Sequence, residues 1–85
     1  MNAEQDAGAG PDWKARAARY AALADPTRLR ILDLLEAGDL SPSELQGVLQ
    51  IPSNLLAHHL RLLVEQGLIT RHRSEGDARR SYVHR

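Results

Sequence analysis

The chain has 85 residues, with 11 basic and 11 acidic side chains, no cysteine and no phenylalanine. Such a length allows one small domain, and the absence of cysteine excludes disulfides and thiolate metal sites. No apolar run approaches the roughly 20 residues that cross a membrane, and the N-terminus lacks the basic and apolar segments of a signal peptide. We therefore expect a cytoplasmic protein with no membrane partner.

The first eleven residues are mainly small or polar. We expect residues 1–11 to form a disordered tail that precedes one domain over residues 12–85. That domain begins with an alanine-rich helix from Asp12, the N-cap, to Ala24. Side chains on one face of this helix recur every three or four residues: Trp13, Ala17, Tyr20 and Leu23.

The dipeptide Asp25-Pro26 ends the first helix and begins a second one. Asp25 is a good N-cap, and proline is tolerated at the first helical position. The second helix is the most apolar, so we expect it to form the centre of the core and to end at Gly38. Its apolar positions are Leu29, Ile31, Leu32, Leu34 and Leu35.

Two further helices are predicted around a short break. Ser41-Pro42-Ser43-Glu44 is a capping box, which begins a short third helix. The break is Gln50-Ile51-Pro52, and the fourth helix runs from Ser53 or Asn54 to Gln66, before Gly67. We expect the third helix to bury Leu45, Val48 and Leu49, and the fourth helix to bury Leu56, Leu60 and Leu63.

After Gly67 the pattern changes to two short runs with partial alternation, over residues 68–73 and 79–85. The turn-forming residues 74–78 separate them, with Gly76 able to adopt a positive φ. This pattern predicts a β-hairpin with a charged tip. The fold class is therefore mainly α with a small β-hairpin.

The charges are unevenly distributed along the chain. Residues 1–52 carry five basic and eight acidic side chains, whereas residues 53–85 carry six arginines and three acidic side chains. Arginine presents a planar fork that matches phosphates and guanine edges. The basic second half is typical of nucleic-acid binding, although an ordinary solvated surface explains the charge alone equally well.

The order of short helix, break, longer helix and hairpin predicts a winged helix-turn-helix that binds double-stranded DNA. The residues also carry a family resemblance. Three segments resemble parts of ArsR-type winged-helix repressors. The opening of those repressors is similar to residues 22–32. Their recognition helix and first wing strand are similar to residues 54–63 followed by Gly67-Leu68-Ile69, and their wing is similar to residues 73–77 followed by Tyr82. The resemblance covers about residues 15–85. It implies a homodimer that represses transcription at a DNA palindrome.

Two features depart from that family. Ser41 and Ser43 occupy the positions where metal-sensing members often have a Cys-x-Cys pair, and no helix follows the hairpin. Either the chain dimerises through the helix around Trp13–Leu23, or it is one domain of a longer protein. The sequence of residues 52–56 is similar to that of modules fused to an arsenate reductase. The alternative function is therefore a regulatory or protein-interaction module of such a fusion.

The residues expected to contact DNA fall in two groups. The first lies on the side of the fourth helix opposite its buried leucines: Ser53, Asn54, Ala57, His58 and Arg61. Asn and Arg bind adenine and guanine edges bidentately, whereas Ser53 could instead be an N-cap. The second group lies on the hairpin, to contact phosphates or the minor groove: Arg71, Arg73, Arg79 and Arg80. The alternative for these arginines is protection of an exposed strand edge.

Other polar residues give weaker signals. Arg28 and Arg30 either contact phosphate or pair with Asp33 or Glu36. His59 is expected at the edge of the core. We predict no metal site, because adjacent His58 and His59 diverge by about 100° on a helix and the expected hairpin register sets His72 opposite Arg80 and His84 opposite Leu68. We predict no cofactor and no enzyme activity, because the sequence offers no Ser-His-Asp pattern, no glycine-rich phosphate loop and no paired buried carboxylates. Leu55 and Leu62 favour the competing hypothesis of a protein-interaction surface.

Overall fold

Four helices and one hairpin follow one another in the computed structural model, which describes residues 11–74 and 77–85, with side chains for residues 12–72 and 81–85. In chain order the elements are α1 (Pro11–Leu23), α2 (Pro26–Leu35), α3 (Pro42–Leu49), α4 (Ser53–Glu65), β1 (Thr70–Ser74) and β2 (Asp77–His84). This arrangement confirms the predicted fold class, a mainly α winged helix-turn-helix. Of the predicted tail over residues 1–11, only Pro11 is described, and there the prediction was wrong, because Pro11 begins α1. Residues 1–10 and Gly76 lie outside the described residues.

The helix starts follow from local hydrogen bonds. Asp25 caps α2 by accepting the backbone N–H groups of Thr27 and Arg28 at 2.8 and 3.2 Å. Ser41 and Glu44 form the reciprocal capping box of α3, with distances of 3.0 and 2.8 Å. Both predicted starts are confirmed. The start of α1 is at Pro11, so Asp12 lies inside its first turn, as proline favours the first helical position.

The core lies between α2, α3, α4 and the base of the hairpin. Its fully enclosed side chains include Ile31, Leu45, Leu60, Leu63, Ile69 and Val83. The expected burial of Leu29 and Val48 was wrong, because both are 46% exposed. Leu29 lies on α2 and Val48 on α3. In so small a domain, too few neighbouring elements surround these short helices to cover every apolar position, so each helix buries a narrower stripe than its sequence offers.

The hairpin differs from its predicted position. The strand β1 begins at Thr70 because Leu68 belongs to the end of α4: Gly67 has φ of 69°, and the backbone N–H of Leu68 donates to the carbonyl of Leu63 at 2.9 Å. This is a Schellman motif, which the N–H of Gly67 completes by donating to the carbonyl of Val64 at 2.9 Å. Leu68 then packs on the core.

The observed register pairs His72 with Tyr82 and Thr70 with His84, so the predicted pairing was wrong by two residues. The strand β2 is also held to the α2–α3 loop. Leu40 and Val83 exchange two backbone hydrogen bonds of 3.2 and 2.7 Å. Because of this bridge, the hairpin base is fixed to the helical body.

Candidate nucleic-acid interface

A tight turn joins α3 to α4 and sets the angle between them. Gln50 ends α3 in the left-handed conformation, with φ of 56° and ψ of 48°, and its N–H donates to the carbonyl of Gln46 at 2.7 Å. Ile51 and Pro52 complete the turn, and Pro52 is extended, with φ of −60° and ψ of 148°. The three-residue break therefore gives a helix-turn-helix.

One side of α4 is buried and the other is open to solvent. Leu56, Leu60 and Leu63 are almost fully buried in the core. All five residues predicted to read DNA from this helix are exposed: Ser53, Asn54, Ala57, His58 and Arg61. They span the N-terminal two thirds of the helix, the part that reaches base edges when a recognition helix enters the major groove.

His58 and Arg61 are in contact on this face. Nη2 of Arg61 donates to Nδ1 of His58 at 3.3 Å. Because a guanidinium has only donors, the imidazole nitrogen is the acceptor in this contact. The pair thus presents N–H groups to solvent, which match the O6 and N7 acceptors of guanine.

Ser53 is not a helix cap. The N-cap of α4 is Pro52, and no side chain caps the first turn. The Ser53 hydroxyl is exposed at the first helical position. The cap interpretation was therefore wrong, and the position remains compatible with a contact to a base or a phosphate.

The hairpin places its arginines on both strands. Arg71 lies in β1 across from Val83 and is exposed. Arg73 also lies in β1, across from Ser81, whereas Arg79 and Arg80 lie in β2. The side chains of these three residues lie outside the described part of the structure.

Arg28 has a structural role that the sequence did not reveal. Its Nε donates to the carbonyl of Ala22 at 2.7 Å, its Nη2 to the carbonyl of Ala21 at 3.3 Å, and its Nη1 to Nδ1 of His59 at 3.1 Å. These contacts replace both interpretations of Arg28, a phosphate contact and a pair with Asp33 or Glu36. They attach α4 to the end of α1.

His59 is only 6% exposed, which confirms its predicted place at the core edge. Burial lowers the pKa of the His59 imidazole below its ordinary value of 6.5, and the Arg28 charge adds to that effect against the opposing charge of Asp25. The signal that could have found this contact is the spacing of His59 from Leu56 and Leu63, three and four residues away, which sets His59 on the inner side of α4.

Comparisons with known proteins place this arrangement in a family. The model of a helix-turn-helix domain matches residues 23–72, from the end of α1 to the hairpin. The chain belongs to this helix-turn-helix family. The match covers the turn, both of its helices and the first three residues of β1. The β1–β2 hairpin is the wing.

Individual relatives confirm the ArsR-type resemblance. The chain is 37% identical over 54 residues to the transcriptional repressor SdpR of Bacillus subtilis, a match that covers 64% of this chain and 60% of SdpR. It is 44% identical over 48 residues to the arsenical resistance operon repressor of Staphylococcus xylosus, covering 56% of this chain and 46% of that protein. The chain spans about half the length of these curated relatives.

A solved structure matches almost the whole chain. NolR from Sinorhizobium fredii superimposes with a TM-score of 0.78 and 27% identity, covering 99% of this chain and 77% of NolR. Within the described residues, no helix is long and apolar enough to span a membrane.

The wing of this helix-turn-helix domain is tied to the α2–α3 loop by a second set of contacts. Asp39 accepts from Nδ1 of His84 at 2.6 Å and lies 3.3 Å from Nε2 of His72. The hydrogen bond from His84 and the charges of the two imidazoles lower the pKa of the Asp39 carboxyl below 3.8. The prediction missed this cluster because it depends on the register of the hairpin.

Asp39 and His84 are at direct hydrogen-bond distance, 2.6 Å. Over residues 12–72 and 81–85, no group of three or more His, Asp or Glu side chains is arranged to hold a metal. The contacts therefore act as hydrogen bonds and ion pairs between loop and wing.

Proposed function

We propose that this chain is a DNA-binding transcriptional repressor that inserts α4 into the major groove. The observation that carries the proposal is the division of α4 into a leucine face in the core and an exposed face with Asn54, His58 and Arg61. Asn and Arg are the side chains that pair bidentately with adenine and guanine. Ser53 and Ala57 complete that face, Ala57 as a contact for a thymine methyl group.

The wing supplies a second contact to the same DNA. Arg71, Arg73, Arg79 and Arg80 lie on its two strands. Arginines on such a hairpin bind phosphates or enter the adjacent minor groove, which adds affinity without reading many bases. Because residues 53–85 hold six of the arginines and three acidic residues, this half of the molecule faces the DNA.

We further propose a homodimer that forms through α1. Trp13 and Tyr20 are 44% and 65% exposed, and they lie seven residues apart on one face of the helix. Two copies joined there would present two recognition helices to the half-sites of a palindrome. The repressor names of SdpR and the Staphylococcus protein support regulation rather than catalysis. They also favour a cytoplasmic regulator over the module of a reductase fusion.

A protein-interaction surface is the second candidate function. Leu55 is 40% exposed beside the recognition face, and Leu62 on the same helix is half-buried. An apolar side chain at the start of α4 fits a protein partner better than a polar groove. The two functions differ in their response to salt and to base sequence.

The test is a fluorescence-anisotropy titration of the chain with the DNA upstream of its own gene and with a scrambled duplex, at two salt concentrations. We expect tighter binding to the upstream DNA, and weaker binding at the higher salt, as phosphate contacts release counterions. Equal and salt-independent binding to both duplexes would overturn the proposal and favour the protein-interaction function.

A further inference from the structure

One guanidinium joins three separate segments of the chain. Arg28, in the first turn of α2, donates through Nε and Nη2 to the carbonyls of Ala22 and Ala21 in the last turn of α1. Its Nη1 donates to Nδ1 of His59 in the middle of α4, at 3.1 Å. We call these contacts the Arg28 joint.

The geometry fixes the state of His59 in the joint. The guanidinium offers donors and no acceptor, so Nδ1 must carry a lone pair and the proton must be on Nε2. The imidazole is only 6% exposed, and a second positive charge beside Arg28 would be unfavourable there. The charged or titratable groups that act on His59 are Asp25 and Arg28 across from α4, and His58 on its own helix.

The other end of the joint is equally well held. The backbone N–H of Arg28 donates to Asp25, which caps α2. The carbonyls of Ala21 and Ala22 lie at the C-terminal end of α1, where helix carbonyls carry partial negative charge. The guanidinium donates to both, and the Ala21 carbonyl also accepts the backbone N–H of Ala24 at 3.2 Å.

The joint therefore connects two surfaces with different tasks. The exposed residues of α1 end where Arg28 binds the helix. On α4, His59 lies next to His58, which belongs to the exposed face proposed to read DNA. Their ring centroids are 5.9 Å apart. Few other contacts fix the direction of α1, because its residues 12–21 are exposed.

We propose that Arg28 and His59 are positioning residues that hold the recognition helix at a fixed angle to α1. Neither residue touches DNA in this proposal, which rests on the proposed function of α4. In a dimer formed through α1, the joint sets the distance and orientation of the two recognition helices, and hence the fit to both half-sites.

The variants His59→Asn and His59→Leu test the proposal. Asn retains an acceptor at the δ position for Nη1 of Arg28, whereas Leu fills similar space without one. We expect His59→Asn to bind the preferred duplex within about twofold of wild type, and His59→Leu to bind it about 2- to 30-fold more weakly. In Arg28→Lys, which keeps the charge but loses the fork, the His59→Leu change should have little further effect. Equal binding by the Leu and Asn variants, or additive effects with Arg28→Lys, would overturn the proposal.

A nuclear magnetic resonance experiment on the chain without DNA keeps this test separate from the proposed function. The ¹H–¹⁵N spectrum of His59→Leu should show shifted amide signals for Ala21, Ala22 and Leu23, far away in sequence, and His59→Asn should not. In the wild-type chain, a long-range ¹H–¹⁵N spectrum should show the His59 proton on Nε2 at neutral pH. A proton on Nδ1 would refute the joint even if the chain binds DNA. If the wild-type chain has the His59 proton on Nε2 but binds no DNA, the proposed function would be refuted and the Arg28 joint would stand.

Discussion

Individual arginines in this chain have different roles because of where the fold places them. Arg61 is exposed on α4 and contacts only a neighbouring imidazole in the described structure, at 3.3 Å. Arg85 donates to Glu36 at 2.6 Å and to the carbonyl of Leu32 at 3.2 Å, and so attaches the end of the chain to α2. Arg28 is committed to the joint. Only an arginine whose donors are presented to solvent is suited to reading a base edge.

The contacts of Asp39 with the wing make the stability of the fold depend on pH. Its folded-state pKa lies below 3.8 because of His84 and His72, so the unfolded state binds more protons in the window between the two values. Stability from this carboxylate is present above pH 3.8 and is lost as the pH falls through the folded pKa. We expect Asp39→Asn to show a smaller fall in its urea midpoint between pH 5 and pH 3 than the wild type.

The matched control for that measurement is Asp33→Asn, an exposed acid on α2. This variant should follow the wild-type curve. If the Asp39→Asn and wild-type midpoints fell in parallel over the same pH range, the contacts of Asp39 with the wing would contribute nothing to stability.

At the scale of elements, the ends of helices decide where the functional parts lie. The Schellman motif at the end of α4 sends Leu68 back onto the core, and β1 begins only at Thr70. Gly67 adopts φ of 69°, a conformation that residues with a Cβ adopt at a cost. The position of the wing relative to the recognition helix thus depends in part on Gly67, together with the Leu40–Val83 bridge.

Substitution of Gly67 tests this dependence. A Cβ at Gly67 would meet no atom within 4 Å, so Gly67→Ala isolates the backbone strain. We expect a loss of about 1–2 kcal/mol in the free energy of unfolding, measured by urea denaturation. Gly47→Ala is the control, since Gly47 also has open space but lies within α3; it should gain about 0.5–1 kcal/mol. Equal effects of both substitutions would contradict the account.

Local sequence patterns were sufficient to predict much of the fold. The caps at Asp25 and Ser41 depend on residues two or three positions away, and both starts were predicted. The exposed face of α4 follows from leucine spacing. The hairpin register, the exposure of Val48 and the contacts of Arg28 depend on residues distant in sequence, such as Leu40 with Val83 and Arg28 with His59. No local pattern encodes those pairs.

Over the whole molecule, α1 stands apart from the other elements. Its residues 12–21 are exposed, whereas at its end Ala22 is buried and Leu23 packs against the core. A helix with an exposed Trp and Tyr gains little stability from packing against its own domain. Burial of these rings against a second copy would remove large apolar surfaces from water. Lys14, whose Nζ lies 5.5 Å from the Trp13 ring centroid, borders this surface.

We expect the chain to sediment as a dimer at micromolar concentration. The double variant Trp13→Ser, Tyr20→Ser should sediment as a monomer, because the two side chains form the proposed contact. Its far-ultraviolet circular dichroism should stay close to that of wild type, since both side chains are exposed in the single chain. A monomeric wild type would overturn the proposed homodimer, whereas a double variant that remains dimeric would place the dimer contact elsewhere.

Binding of DNA through the exposed face of α4 is tested most directly by Arg61→Ala. In an anisotropy titration with the preferred duplex, this variant should lose about 1–3 kcal/mol of binding free energy and discriminate less well at one base pair. Val64→Ala, at an exposed position near the other end of the helix, should bind as the wild type does. If Arg61→Ala bound the preferred duplex with unchanged affinity and preference, the exposed face of α4 around Arg61 would not be the recognition face.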